Sequence, residues 1–179
     1  MALKSTIYKA GLQIADMDRH YYADHALTIA CHPSETPERM MVRILAYALN
    51  AQERLRFGKG LSEVDDPDLS VPDLTGQIEL WIEVGQPDEK AILKACGRAT
   101  QVKVYPYSSS AGMWWKQVGP KLERARNLEV VAIAPESAQA LARMSQRGMQ
   151  LQCTIQEREV WIRDETDAVE VALETWKGL

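Results

Sequence analysis

The sequence predicts an α/β fold: a mixed central sheet flanked by helices, with antiparallel strands supplied by both ends of the chain. Three observations predict it. Strand-like and helix-like patterns alternate between residues 78 and 146, the order expected of parallel strands joined by helices. Before residue 33 and again over 149–176 the apolar period drops to two, as in half-buried strands. The joins are too short for interdomain linkers. Residues 1–179 are therefore read as one domain, with an N-terminal hairpin (1–33), a core (34–134) and a C-terminal helix with antiparallel strands (135–179).

Each element has its own signal. Tyr8, Ala10, Leu12 and Ile14 alternate on a first strand, "ADMDRH" turns the chain, and Tyr21, Ala23, His25, Leu27, Ile29 and Cys31 alternate on a second. A helix follows, with Ser34 or Thr36 as its cap and Pro37 in the first turn, where a missing donor is harmless. Met41, Leu45 and Ala48 form its inward stripe, and Glu38 heads that stripe one turn earlier. The segment 58–77, dense in Gly, Pro, Asp and Ser, reads as turns around one short strand, "DLSV". Ile78, Leu80, Ile82 and Val84 then point one way from a strand whose other face carries Glu79, Trp81 and Glu83. Helix 87–99, strand "VKVYPY", helix 109–125, strand "LEVVAIA" and helix 135–146 complete the alternation, and three strands close the chain.

Composition excludes several classes. A 179-residue chain that is 46% hydrophobic can bury a proper core. Its formal net charge of −4 gives no global attraction to nucleic acid or anionic membranes, so such binding would have to be local. No apolar run approaches a membrane span, and "MALKSTIYKAG" lacks the apolar stretch of a secretion signal, so the expected address is the cytoplasm. Cys31, Cys96 and Cys153 lack CxxC spacing and read as buried free thiols; His25 reads as a hydrogen-bonded core residue. Neither residue type points to a metal.

The acids do. Glu38 heads the first helix, Asp68 and Asp73 stand in two Pro-Asp pairs, and Glu79 and Glu83 share a strand face. An oxygen-rich set of this kind suits a hard divalent cation such as Mg²⁺ or Mn²⁺, which can activate water and stabilise charge on a phosphodiester. Each acid also has a local explanation: Glu38 complements a helix dipole, and Asp66, Asp68 and Asp73 are ordinary turn residues.

A helical Glu, a Pro-Asp about ten residues before an acid in a strand, then a helix and a further strand: this order resembles the core of the PD-(D/E)xK nuclease superfamily. The stretches "LWIEVGQPDEKAILKA", "HPSETPERMMVRILAYAL" and "MALKSTIYKA" more narrowly resemble the bacterial YaeQ family, over essentially the whole chain. The resemblance implies a nuclease-like sheet, one Mg²⁺ held by Glu38, Asp73 and Glu83, and nucleic acid as partner, with Asp68 the substitute for Asp73. It does not supply a settled activity. The superfamily pattern places a lysine two residues after the strand acid, yet Glu83 is followed by Val84 and Gly85. Variant members supply that lysine from the next helix, which makes Lys90 and Lys94 the candidates. At about 3.3 Å per strand residue and about 1.5 Å per helix residue, the helix's second turn returns to the level of Glu83.

Lys90, Lys94 and Arg98 form a basic stripe, followed by Lys103, Lys116, Lys121, Arg124 and Arg126. Such a track can hold a phosphate backbone or serve as a solvated face. Met113, Trp114 and Val118 share a helical face suited to core packing; Trp115 lies toward the other side, against the terminal strands or open to a stacked base. "YPYSSSAG" follows a parallel strand where such folds often bind ligands. The displaced lysine supports an alternative, a catalytically degenerate nucleic-acid-binding or protein-interaction module of the same fold.

Overall fold

A computed structural model describes residues 4–59 and 65–179, so part of the turn-rich segment lies outside the described residues. In chain order the elements are β1 (Thr6–Asp16), β2 (Tyr21–Cys31), α1 (Pro37–Asn50), β3 (Arg56–Phe57), β4 (Leu69–Pro72), β5 (Ile78–Val84), α2 (Glu89–Arg98), β6 (Ala99–Tyr105), α3 (Ala111–Val118), β7 (Leu128–Ile133), α4 (Pro135–Arg143), β8 (Gly148–Gln156), β9 (Glu159–Arg163), β10 (Ala168–Val171) and β11 (Leu173–Lys177).

Among the described residues the strands form two mixed sheets, the antiparallel strands of the two termini making a sheet of their own rather than extending the central one. One has six strands in the order β11-β7-β6-β5-β4-β3, with β5, β6 and β7 parallel; the other has five, β10-β9-β8-β1-β2, with only β1 and β8 parallel. The physical reason is α1. Met40, Met41, Val42, Ile44, Leu45, Ala46 and Ala48 are all 0–1% exposed, so the helix is apolar all round and needs cover on every side. A single inward stripe of Met41, Leu45 and Ala48 underestimates it. The terminal strands supply the second cover through Ala10, Leu12, Ile14, Leu27 and Ile29, while α4 packs beside α1. The opposite face of the six-stranded sheet is covered by α2 and α3, over Trp81, Val102, Val104, Leu128 and Val130.

Local chemistry sets the ends of elements. Thr36, not Ser34, caps α1, its hydroxyl accepting from the Arg39 amide at 3.2 Å. The helix expected over 109–125 stops at Val118 and tightens into a 3-10 turn, Gly119–Leu122, because Pro120 cannot continue an α-helix. Gly119 is needed there: a Cβ would meet the Trp115 ring at 3.0 Å. The C-terminal region forms four strands rather than three. β11 leaves the terminal sheet to pair antiparallel with β7, where Trp176 stacks on Trp115 at 6.1 Å. Met113, expected inside with Trp114, is 70% exposed.

Cys31 and Cys153 are buried and free, and the His25 ring bonds the hydroxyls of Tyr21 and Tyr47, as the alternation predicts. Among the described residues, no helix is long and apolar enough to cross a membrane.

Candidate active site

β5 carries Trp81 inward and Glu83 half-buried beside it, at the carboxyl end of the strand. The indole N–H of Trp81 donates to Glu83 Oε1 at 2.8 Å, and Arg98 lies over the Trp81 ring at 5.1 Å. Opposite Glu83, just before β4, stands Asp68. The antiparallel register of Leu69 with Ile82 brings the two carboxyl groups to the same face, and Asp68 N–H donates to the Ile82 carbonyl at 3.0 Å. Asp68 is only 6% exposed. Its Oδ2 accepts from the Val84 amide at 2.7 Å and its Oδ1 from the Arg39 guanidinium at 2.6 Å.

The two carboxyl groups face each other across the β4–β5 ladder, close enough for the Asp68 charge to bear on Glu83. Burial, then the Asp68 charge, push Glu83 up to about 8; the Trp81 donor and Arg39 act in the opposite sense. Two crowded, largely buried carboxyl groups served by the one guanidinium of Arg39 mark a place where further positive charge would be favourable.

Behind this pair lies a buried ion network. Arg39 reaches back to Glu35 Oε2 at 2.7 Å, and Glu35 also accepts from Arg43 through Nε at 2.9 Å and Nη2 at 2.6 Å. Arg43 and Glu35 are both 2% exposed at the side chain, and Arg43 also donates to the Ala30 carbonyl. The chain Arg43–Glu35–Arg39–Asp68 thus fixes one end of the carboxylate pair to α1 and β2. Glu35, Arg39 and Arg43 were absent from the candidates read off the sequence. Their signal was the four-residue spacing of Glu35, Arg39 and Arg43 along a segment whose other side chains are almost wholly apolar.

The acids and lysines expected at the site divide. Glu83 and Asp68 come together. Asp73 does not: its carboxylate accepts from the Thr75 amide and hydroxyl and the Gln77 amide, closing the β4–β5 turn at the far end of β5. Pro72 pairs with Ile78, so Asp73 and Glu83 are separated by the length of the strand, roughly 16 Å at about 3.3 Å per residue. Asp68, the substitute, occupies the position expected of Asp73. Glu38 is partly buried but acts on Tyr107, whose phenol is pushed up chiefly by burial. Among the described residues, no hydrogen bond or ion pair joins Glu38 to Asp68 or Glu83. The triad Glu38, Asp73 and Glu83 is therefore not assembled. Among the described residues, no three His, Cys, Asp or Glu side chains converge on a metal-sized space.

Lys90 and Lys94 are exposed on α2, and among the described residues no ion pair joins either to Glu83; Lys94 pairs instead with Asp65 at 3.1 Å. The basic stripe is partly neutralised, Lys121 by Glu89 and Lys103 by Glu129. The cation acting on Glu83 is Arg39.

Residues 1–173 match the family model described as YaeQ protein. The chain belongs to the YaeQ family. It is 44% identical over 178 residues to a Salmonella typhi relative named Uncharacterized protein YaeQ, covering 99% of this chain and 98% of the relative. The Escherichia coli (strain K12) protein of the same name is 43% identical over the same shares. The crystal structure of YaeQ protein from Xanthomonas axonopodis pv. citri superposes with a TM-score of 0.95 at 44% identity, covering 98% of this chain and 99% of that one. That of the Pseudomonas syringae YaeQ protein gives 0.94 at 37% identity, covering 98% and 97%. Two sheets enclosing one apolar helix are therefore the architecture of the YaeQ family.

Proposed function

We propose that this YaeQ-family chain is a metal-dependent phosphodiesterase acting on nucleic acid, of variant PD-(D/E)xK type, in which Asp68 and Glu83 hold a Mg²⁺ or Mn²⁺ ion. One observation carries the reading: the Asp68 and Glu83 carboxyl groups face each other at the carboxyl end of a parallel strand, a pair whose mutual repulsion a divalent cation would relieve. The donor set fits such an ion, which needs only one or two carboxylates and completes its shell with water and phosphate oxygens. Each carboxyl oxygen already engaged by Arg39, the Val84 amide or Trp81 keeps a second lone pair. Bound there, the ion would activate water and neutralise charge developing on a phosphodiester. The chain's own residues do the positioning: Glu35 fixes Arg39, Arg39 fixes Asp68, and Trp81 orients Glu83.

A second reading, the degenerate binding module, is favoured by the same Arg39 contact. A guanidinium at 2.6 Å already neutralises one of the two carboxylates, and the lysine of the superfamily pattern is missing after Glu83.

Purified protein incubated with plasmid, single-stranded DNA and RNA in Mg²⁺ or Mn²⁺ separates the two. The phosphodiesterase reading expects cleavage that falls by about 100-fold or more in Glu83→Ala and Asp68→Asn, the loss typical of removing one positioned catalytic group. Cleavage that survives both substitutions overturns it. A salt-dependent mobility shift without cleavage supports the binding module.

A further inference from the structure

The two helices that follow the neighbouring parallel strands β6 and β7 leave the six-stranded sheet on opposite faces. α3 packs Trp114 and Trp115 onto the face of Val102, Val104 and Leu128, whereas α4 packs Ala138 and Leu141 onto the other face, beside α1. Such a divergence opens a crevice outside the carboxyl ends of the strands, where open α/β sheets bind ligands. Here the crevice is a cavity of about 390 Å³. That volume lies in the range of small-molecule pockets. Neither Asp68 nor Glu83 lines it.

Its lining has three chemistries. Trp176 gives a planar apolar wall with Ile133, and its indole is held in place by the stack on Trp115, 6.1 Å between centroids with planes 24° apart. Ser109 gives a hydroxyl ahead of α3, whose first turn enters the wall at Ala111 and Gly112, while the Ser108 hydroxyl is engaged by Gln86 and Ser110; α4 enters at Pro135. The N-cap of α3, Ser110, makes no side-chain cap bond and its first turn holds no acid, so one positive helix end borders the cavity; the first turn of α4 already carries Glu136. Glu174, exposed at the rim, adds an acceptor that solvent screens from the interior.

We propose that this cavity binds a nucleoside monophosphate, with the base against Trp176, the phosphate at the amino end of α3 beside Ser109, and the sugar hydroxyls toward Glu174. A planar ring, an anion and hydroxyl donors in one molecule match the aromatic wall, the amino end of α3 and the rim carboxylate. The inference rests on the cavity and does not depend on the carboxylate pair.

Isothermal titration of the full chain with AMP, GMP, CMP and UMP, and with the matching nucleosides, tests it. EDTA is present throughout, so phosphodiester cleavage of the proposed kind is silent and a failure here leaves that reading untouched. At least one monophosphate is expected to saturate, with its nucleoside weaker by about tenfold or more. Gly112→Asp is the decisive variant. A Cβ at Gly112 meets nothing within 4 Å, and an acid in a helix's first turn suits the dipole, so folding is kept while a like charge enters the phosphate position. Binding is expected to weaken by about tenfold or more, and equally in Ser109→Glu, which brings the same charge from outside the helix. Trp176→Leu is expected to weaken nucleoside and monophosphate alike. Failure of all four monophosphates to saturate, equal affinity for nucleoside and monophosphate, or full affinity in both acidic variants overturns the proposal.

Discussion

β4 is only four residues long, and a Pro-Asp-Leu tripeptide stands at each of its ends. Pro67-Asp68-Leu69 runs into the interior: Leu69 is 0% exposed, and Asp68 meets Arg39, the Val84 amide and Glu83. Pro72-Asp73-Leu74 runs out of it: Leu74 is 94% exposed, and Asp73 folds onto the amides of its own turn, with Gly76 at φ 90°. The tripeptide cannot choose between these fates. The choice is made by what lies across the ladder, a strand end crowded by α1 in one case and an open hairpin turn in the other. The charge consequences are opposite. Glu83, facing Asp68, is held protonated, whereas hydrogen bonds from Thr75 and its neighbours hold the Asp73 carboxyl below the usual carboxylate range.

The largest effect is expected where the Asp68 end is anchored. Glu35→Ala leaves Arg43 with its charge buried and without its bidentate partner, and frees Arg39 as well. Breaking a buried pair in this way costs about 3–5 kcal/mol. That is a large part of the total stability, about 5–15 kcal/mol, of an ordinary domain. Urea unfolding monitored by circular dichroism should show the midpoint fall steeply, with Glu35→Gln falling less because one acceptor remains. A loss under about 1 kcal/mol in Glu35→Ala would mean that the network is a surface-like pair and does not hold the Asp68 end in place.

The same contrast explains which parts were legible in the sequence. Period-two alternation identified β1 and β2, because those strands bury one face and the rule rests on one face; β5, covered on both, showed the period only through Glu79 and Glu83. α1 was legible as a helix but not as the centre of a sandwich: a stripe was drawn through Met41, Leu45 and Ala48, while the equally buried Met40, Ile44 and Ala46 pointed to a second cover. The need for that cover decides that the terminal strands form their own sheet. At the site, Glu83 was legible because an acid on a covered strand face requires a partner. The choice of Asp73 over Asp68 failed because it rested on spacing alone, and spacing does not report the five-residue length of ladder between them. Glu35 was missed because it precedes the helix, where the inward stripe is not counted.

A second way to sharpen the comparison is pH. Glu83 is raised in the folded chain from its ordinary value of 4.5 to about 8, so over this interval the folded state binds more protons than the unfolded one. Stability from this group is complete below the ordinary value and is lost as pH rises through about 8. Glu83→Gln fixes the neutral, hydrogen-bonded form. It is expected to flatten the decline of the thermal midpoint between pH 5 and 9 and, above pH 8, to exceed the parent in unfolding free energy by about 1 kcal/mol or more. A parent whose midpoint rises over that range, with the variant following it, would show that burial and Asp68 do not hold Glu83 protonated.

The smallest effect belongs to Asp73, and its sign is reversed. Because its folded carboxyl is held low by the Thr75 hydroxyl and the turn amides, its stabilisation is present above the ordinary carboxylate value and is lost as pH falls through the folded one. Asp73→Ala is therefore expected to lower the midpoint slightly at neutral pH, to remove part of the acid-side decline, and to leave the slope between pH 5 and 9 as it was. Metal-dependent cleavage, where present, is expected to persist in this variant and to fall in Asp68→Asn. The two substitutions act on the same tripeptide five positions apart, so the neighbouring residues are matched between them. Any difference in pH slope or cleavage then reports the strand and helix facing each aspartate: if Asp73→Ala abolished cleavage while Asp68→Asn left it intact, the site would have to be sought at the hairpin turn.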